Sequence, residues 1–118
     1  MTHTLNLNPQ PFAMIADGRK TIELRLYDEK RRKIQVGDTL VFVHTEDESK
    51  TLIATVTALH RFPDFAALYA ALPLEQCGYL PEEIATASPA DMNVYYSAEQ
   101  QARYGVVGIE IALCQEGV

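Results

Sequence analysis

The sequence predicts a small α+β domain, built on a curled sheet or barrel of about five to six strands with short flanking helices. Three observations carry this expectation. Alternating apolar segments recur along the chain and are separated by short stretches of helical spacing. Cap and turn residues stand at the junctions. The apolar spacing is mixed and lacks the regular strand–helix alternation of a doubly wound sheet.

Each element follows from its residues. Leu5 and Leu7 alternate with polar neighbours and predict a short first strand. Asn8-Pro9 predicts a helix start, with Asn8 as N-cap and Pro9 at the first helical position. Phe12, Ile15 and Ala16 then share a helical face, and Gly18 is the expected left-handed terminator. Thr21–Tyr27 is the clearest strand. Ile22, Leu24 and Leu26 point one way; Thr21, Glu23, Arg25 and Tyr27 point the other. Asp28–Asp38 reads as a charged connection ending in a Gly37-Asp38 turn. Thr39–His44 is apolar on both faces, as an inner strand should be, and Thr51–His60 reads as another strand. Pro63-Asp64 opens a helix carrying Phe65, Leu68, Tyr69 and Leu72. The proline-containing segment from Pro73 to Asn93 predicts a long loop with a short helix near Pro81–Ala85. Ser97 and Gln100 form a capping box, the helix ends at Gly105, and Val107, Ile109, Ile111 and Leu113 alternate as a final strand.

Composition narrows the function classes. The 118 residues predict a single domain over 1–118, large enough to fold without metal or disulfides. Its longest apolar run, Phe65–Leu72, is far short of the roughly 20 residues of a membrane-spanning helix, so no membrane partner is expected. No cationic-then-apolar leader opens the chain. Cys77 and Cys114 stand 37 positions apart, outside any metal or redox spacing, which predicts reduced thiols and a cytoplasmic protein. His3, His44 and His60 have no ligand partners at short spacing. There is no P-loop, Gly-rich dinucleotide turn, nucleophile elbow or zinc-deaminase pair, so no metal or cofactor is expected. Oligomeric state, monomer or weak dimer, is left open.

Net charge is −6, against a general nucleic-acid binder, but the charge is unevenly spread. Residues 19–33 hold seven of the ten basic residues and three acidic ones, a local charge of +4 against −10 elsewhere. With a Debye length of about 8 Å, such a patch acts almost independently of a distant acidic face. The same run also fits a solvated loop.

The segment Gly18-Arg19-Lys20-Thr21-Ile22-Glu23-Leu24-Arg25 stands out. Lys20 emerges at a helix-to-strand corner, and Glu23 and Arg25 leave one strand face within reach of each other. A lysine beside a carboxylate in a cleft can transfer protons, and a forked guanidinium can hold a phosphate or a carbonyl oxygen. A structural ion-pair ladder uses the same residue types. Tyr95 and Tyr96 precede the last helix, where they either stack on a base or cover the open end of the barrel.

This octapeptide fits the G-x-K-x-x-E-x-R signature of the ASCH domain family, of the PUA-like superfamily. The stretch Asp28–Phe42 resembles that family's next block, and Tyr95–Ile111 resembles its C-terminal block; residues 62–93 are the least similar. The resemblance implies a β-barrel with flanking helices, a cleft lined by Gly18–Arg25, and an association with RNA or RNA-derived nucleosides. One small bacterial group in the superfamily is similar in its Gly-Arg-Lys-Thr-Ile run and removes the acyl group from acetylcytidine-type nucleosides. That similarity implies Lys20 as a catalytic lysine. The group has a threonine where this chain has Glu23, and it uses a later glutamate, for which Glu75, Glu82 and Glu83 are the counterparts available here.

Several functions follow as expectations. The first is a module that binds RNA or a nucleotide through Arg19, Lys20, Arg25 and the run Lys30, Arg31, Arg32, Lys33, with Tyr95 and Tyr96 as stacking residues. Contact with roughly three phosphates would give a log–log salt slope near −2. The second is an amidohydrolase in which Lys20 and Glu23 share proton transfer and Arg25 or a backbone amide holds the oxyanion. The third is a metal-independent ribonuclease with Lys20, Tyr96 and Arg25 in the acid–base and clamp roles. The fourth is a non-catalytic interaction domain, such as an accessory to a toxin–antitoxin pair.

Overall fold

The computed structural model describes residues 1–114; the last four residues of the expected domain, 115–118, lie outside the described residues. Five strands form one sheet: β1 (Thr2–Leu7), β2 (Ile22–Leu26), β3 (Thr39–His44), β4 (Thr51–Phe62) and β5 (Val106–Leu113). Their spatial order is β1-β3-β4-β5-β2. The β1–β3 pair is parallel and the other three pairs are antiparallel. The sheet curls into a half-barrel with flanking helices, so the α+β architecture expected from the sequence is the one observed. Strands β1 and β2 are its two edges.

Helix α1 (Pro9–Ala16) follows β1 directly. Pro9 starts it as expected, and Gly18, at φ 87°, turns the chain out of it in a conformation that a side chain disfavours. Asn8 stands at the N-cap with an extended backbone, but its side chain does not cap. Its Oδ1 accepts instead from the Thr45 hydroxyl at 3.2 Å. The buried edge of α1 is Met14 and Ile15, with Phe12 half-buried and Ala16 exposed. The expected face is thus rotated by about one residue, because the returning chain bonds Lys20 N–H to the Met14 carbonyl at 3.0 Å and covers Met14.

The expected connection after β2 contains a one-turn helix, α2 (Glu29–Arg32). Asp28 caps it by accepting from the Arg31 N–H at 3.2 Å, and the basic residues sit in its last turn, where the helix dipole favours them. Strand β4 runs two residues past the expected end, with a bulge between Val56 and Ala58 that keeps Leu59 packed on the barrel interior. Asp64 caps α3 (Phe65–Ala71), accepting from Ala67 N–H at 2.9 Å. The Pro73–Asn93 segment, expected as a loop with one short helix, forms three 3₁₀ turns over 74–77, 81–86 and 89–94. The Ser97–Gln100 box caps α4 (Ala98–Tyr104), which Gly105 ends.

Two cores result. The barrel interior packs Leu5, Leu7, Leu40, Phe42, Val107 and Ile109 around Ile15 and Ile34. The outer face of β2 packs Ile22, Leu24 and Leu26 against Phe65 and Leu68 of α3, with Cys77 and Met92 from the 3₁₀ turns. Strand β2 is therefore covered on both faces. Among the described residues, no helix is long and apolar enough to cross a membrane.

Candidate functional site

The site begins with the register of β2. Glu23 pairs with Ile109 and Arg25 with Val107, and paired residues share a face of the sheet. Ile109 and Val107 belong to the barrel interior. The polar face of β2 is thus turned into the barrel mouth, not into solvent. The strand's start is fixed from two sides: Lys20 N–H donates to Met14 of α1, and Thr21 N–H donates to the Gln76 carbonyl at 2.9 Å.

Burying Glu23 requires that its charge be answered. Lys20 Nζ lies 2.8 Å from Glu23 Oε1, and Arg25 Nε lies 2.7 Å from Oε2. Both carboxylate oxygens are engaged by cations, and the Glu23 side chain is only 5 % exposed. Burial alone would raise the Glu23 carboxyl; the charges of Lys20 and then Arg25 outweigh it and hold the group below its ordinary range. Burial likewise acts against the Arg25 cation, and the Glu23 charge overcomes it, leaving the guanidinium above its ordinary range. The three groups together carry +1. Arg25 Nη2 also donates to the Asn6 carbonyl at 2.6 Å, joining the β2 edge to the β1 edge across the mouth of the half-barrel.

This triad lies in the wall of a cleft of about 490 Å³. Asn6, Leu7 and Asn8 contribute from β1 and its exit. Gly78, at φ 109°, covers the Lys20 stem; a Cβ there would stand 3.2 Å from Lys20 Cδ. Cys77 is buried beside them, and burial pushes its thiol up to about 11 against the pull of Lys20, so it rests as a thiol at neutral pH. Tyr96 stacks on Phe65 with ring centroids 6.3 Å apart, and the exposed Tyr95 is tilted against it at 6.5 Å. Tyr69, Tyr79 and Asp91 form a chain in the same cleft. The Tyr69 and Tyr79 hydroxyls are 2.7 Å apart, and Tyr79 donates to Asp91 Oδ2 at 2.7 Å.

The structure brings together Lys20, Glu23, Arg25, Tyr95 and Tyr96 among the residues singled out in the sequence. It separates the others. Arg19 pairs with Asp17 at 2.7 Å and lines a smaller hollow that also holds Glu75. Arg31 pairs with Asp28 at 2.7 Å on α2, and neither it nor Lys30 lines the cleft. Of Glu75, Glu82 and Glu83, Glu83 lines the cleft; Glu82 lines neither cavity. The basic run is thus divided: Lys20 and Arg25 line the cleft, Arg19 and Arg31 form ion pairs outside it, and Lys30, Arg32 and Lys33 do neither among the described residues. Tyr79 and Asp91 are not singled out by the sequence, and Tyr69 is singled out only as a helix residue. The signal that could have placed Asp91 is the Ser88–Asp91 capping box.

The histidines are taken up elsewhere. His3 Nε2 lies 2.8 Å from Asp38, which the His3 and Gln35 hydrogen bonds hold down at about 2. His60 Nε2 lies 2.9 Å from Glu110, and His44 meets the Phe12 ring edge-on.

No curated protein matches the chain. A hypothetical protein, PH0355, is 30 % identical in its crystal structure, over 97 % of this chain and 100 % of that one, with a TM-score of 0.78. Protein PF0455 from Pyrococcus furiosus, solved by NMR, is 31 % identical over 98 % of this chain and 99 % of that one, with a TM-score of 0.67. ASCH from Zymomonas mobilis shares the fold at 14 % identity and a TM-score of 0.62, over 94 % of this chain and 66 % of that one. The ASCH domain model matches residues 5–115, a range that contains the Lys20–Glu23–Arg25 triad. The chain belongs to the ASCH domain family.

Proposed function

We propose that the cleft binds one nucleoside or nucleotide unit of RNA origin, with Lys20 and Arg25 as fixed donors and Tyr95 and Tyr96 at hand to stack on the base. The observation that carries this reading is the saturation of Glu23. Both of its oxygens are occupied, at 2.8 and 2.7 Å, and its carboxyl is held low. A carboxylate stabilised in this way is a poor proton acceptor. It is well suited to fixing two cations as hydrogen-bond donors in one geometry. The cleft volume of about 490 Å³ suits a ligand of nucleoside size. Base stacking on a tyrosine adds roughly 1–3 kcal/mol. We assign the protein to the cytoplasm on its cysteines, Cys77 buried and Cys114 exposed, both free.

A second reading, an amidohydrolase of acetylcytidine-type nucleosides, is favoured by Lys20 Nζ lying 2.8 Å from a carboxylate, with Glu83 also lining the cleft. In it, water adds to the acyl carbon while Glu23 or Glu83 takes its proton. The C–N bond then breaks as Lys20 donates a proton to the leaving amine. A ribonuclease acting through Lys20, Tyr96 and Arg25 ranks below both.

One experiment separates these readings. Wild type and Lys20→Ala are titrated with cytidine by calorimetry and incubated with acetylcytidine, with products resolved by chromatography. The binding reading expects saturable binding by wild type, at least tenfold weaker binding by Lys20→Ala, and no cytidine release. Lys20-dependent release would replace it with the hydrolase. A folded wild type that neither binds nor hydrolyses would remove both.

A further inference from the structure

The cleft leaves part of the basic run unexplained. Arg19, Arg25 and Arg31 each have a carboxylate partner. Arg32 and Arg61 have none among the described residues, and both are exposed. Their guanidinium groups nevertheless gather on one ring. Arg32 Cζ lies 4.5 Å and Arg61 Cζ 5.8 Å from the centroid of Tyr27. Arg32 is held there by donating from Nη2 to the Tyr104 carbonyl at 3.1 Å. The ring attracts each cation but does not relieve their mutual repulsion. An anion bridging the two would do so, and two planar forks match the oxygens of a phosphate.

The position of this pair relates it to the cleft. Arg61 pairs with Val107 across β4 and β5, and Val107 pairs with Arg25 across β5 and β2. The three residues form one row on one face of the sheet. Arg25 and Arg61 are therefore two strand spacings apart, about 10 Å. Tyr27 follows Arg25 by two residues and packs on the same interior core. The two exposed arginines thus stand beside the cationic end of the cleft and outside its lining.

We propose that Arg32 and Arg61, gathered on Tyr27, bind a backbone phosphate of single-stranded RNA whose adjoining nucleoside occupies the Lys20–Arg25 cleft. The proposal rests on the nucleoside reading of that cleft and extends its ligand from a free unit to a unit within a strand. The chain carries −6 overall, which repels a polyanion from the rest of the surface and confines contact to this end.

The test uses the full chain and its Arg32→Gln/Arg61→Gln double variant; both positions are exposed, and circular dichroism with thermal melting verifies the fold. A labelled short single-stranded oligoribonucleotide is titrated by fluorescence anisotropy over a salt series, with inorganic phosphate as competitor and cytidine binding measured by calorimetry. The double variant is expected to bind the oligonucleotide about tenfold more weakly. Its log–log salt slope should flatten by about 0.7 for each single-strand phosphate that the arginines no longer neutralise, and cytidine affinity should not change. Unchanged oligonucleotide affinity and slope would overturn the proposal. So would a wild type that binds cytidine but not the oligonucleotide, an outcome that leaves the cleft reading standing. Inorganic phosphate binding as tightly as the oligonucleotide would assign the arginines to free phosphate and overturn the RNA ligand. Arginine-dependent oligonucleotide binding without any cytidine binding would keep the phosphate site and remove the cleft reading.

Discussion

The cleft has two walls, held by different means. Strand β2 forms one, laddered to β5 along its length, with its polar face buried and its charges paired. The 3₁₀ turns form the other. The first is tied to the start of β2 through the Gln76 carbonyl, while the second and third rest mainly on local bonds: Leu80 N–H to Glu83, Ser88 N–H to Asp91, Ala90 N–H to Ser88. A wall made by long-range pairing and buried charge opens only when much of the domain opens. A wall made by bonds between near neighbours opens at lower cost. The donors that require fixed geometry, Lys20 and Arg25, stand on or beside the ladder. The tyrosines and Asp91 stand on or against the local wall. Ligand entry is thus expected to move the second wall and leave the first in place.

The largest break in this comparison is Glu23→Ala. It leaves Lys20 and Arg25 facing each other in a buried site without a counter-charge, at an expected cost of about 3–5 kcal/mol. Urea unfolding monitored by circular dichroism measures it, and a cost near that of an exposed ion pair would remove the distinction between the walls. The same pair predicts a pH dependence. The folded-state Glu23 carboxyl lies below its ordinary value, because the Lys20 and Arg25 charges outweigh burial. Its contribution is therefore full above the unfolded carboxyl's value of about 4.3, and it is lost as pH falls through the lower folded value. Wild type should lose stability on acidification in that range, and Glu23→Ala should lack this part of the loss.

Arg25→Lys is the next largest. A lysine keeps the charge but not the fork that reaches Glu23 at 2.7 Å and the Asn6 carbonyl at 2.6 Å together. One charge-assisted hydrogen bond is removed, about 2 kcal/mol. The bond that joins the β1 and β2 edges goes with it. Stability measured by urea unfolding should fall by that amount, and amide exchange should rise in β1 near Asn6. A loss of stability without faster β1 exchange would show that the edges are held together by other interactions.

The contrast between the walls also explains what the sequence made legible. The alternation Ile22–Glu23–Leu24–Arg25–Leu26 specifies a strand and its two faces from nearest neighbours alone, so β2 and its chemistry were readable. That both faces are buried was not readable, since it depends on α3 on one side and the curl of the sheet on the other. The interior position of Glu23 follows from pairing with Ile109, a contact 86 residues away in sequence. Helix α2 is signalled by Asp28 and the basic last turn, but the charge density in Asp28–Lys33 reads equally as a solvated loop. The 3₁₀ wall is legible only as a long loop with one short helix near Pro81–Ala85, because it has no sustained helical or strand periodicity. Asp91 was invisible as a site residue because its partner Tyr79 lies 12 positions earlier, across two turns.

Gly78→Ala acts where the two walls touch. The residue's φ of 109° disfavours a side chain, and the added Cβ would lie 3.2 Å from Lys20 Cδ. The expected cost is about 1 kcal/mol or somewhat more. Cytidine affinity, measured by calorimetry, should fall because the Lys20 stem must shift. A stability loss with unchanged affinity would mean that Lys20 Nζ keeps its place while the turn alone adapts.

The smallest expected effect discriminates most sharply. Tyr79→Phe removes the hydroxyl that joins Tyr69 to Asp91. Burial first, then Tyr69 and Asp91, push the Tyr79 hydroxyl well above its ordinary range, so it remains a protonated donor at any physiological pH. Both of its partners are at least partly open to solvent, and water can replace the missing bonds. The cost is expected to be about 0.5–1.5 kcal/mol. Its distribution is the informative quantity. With the Asp91 carboxylate released, its bond to Ser88 N–H is held by a freer side chain, and amide exchange over residues 88–94 should accelerate. Exchange along β2 and β5 should stay as in wild type, since no bond of that ladder involves Tyr79. Equal acceleration in both regions would mean that the walls open as one unit, and fixed donors facing an adjustable wall would no longer describe the cleft.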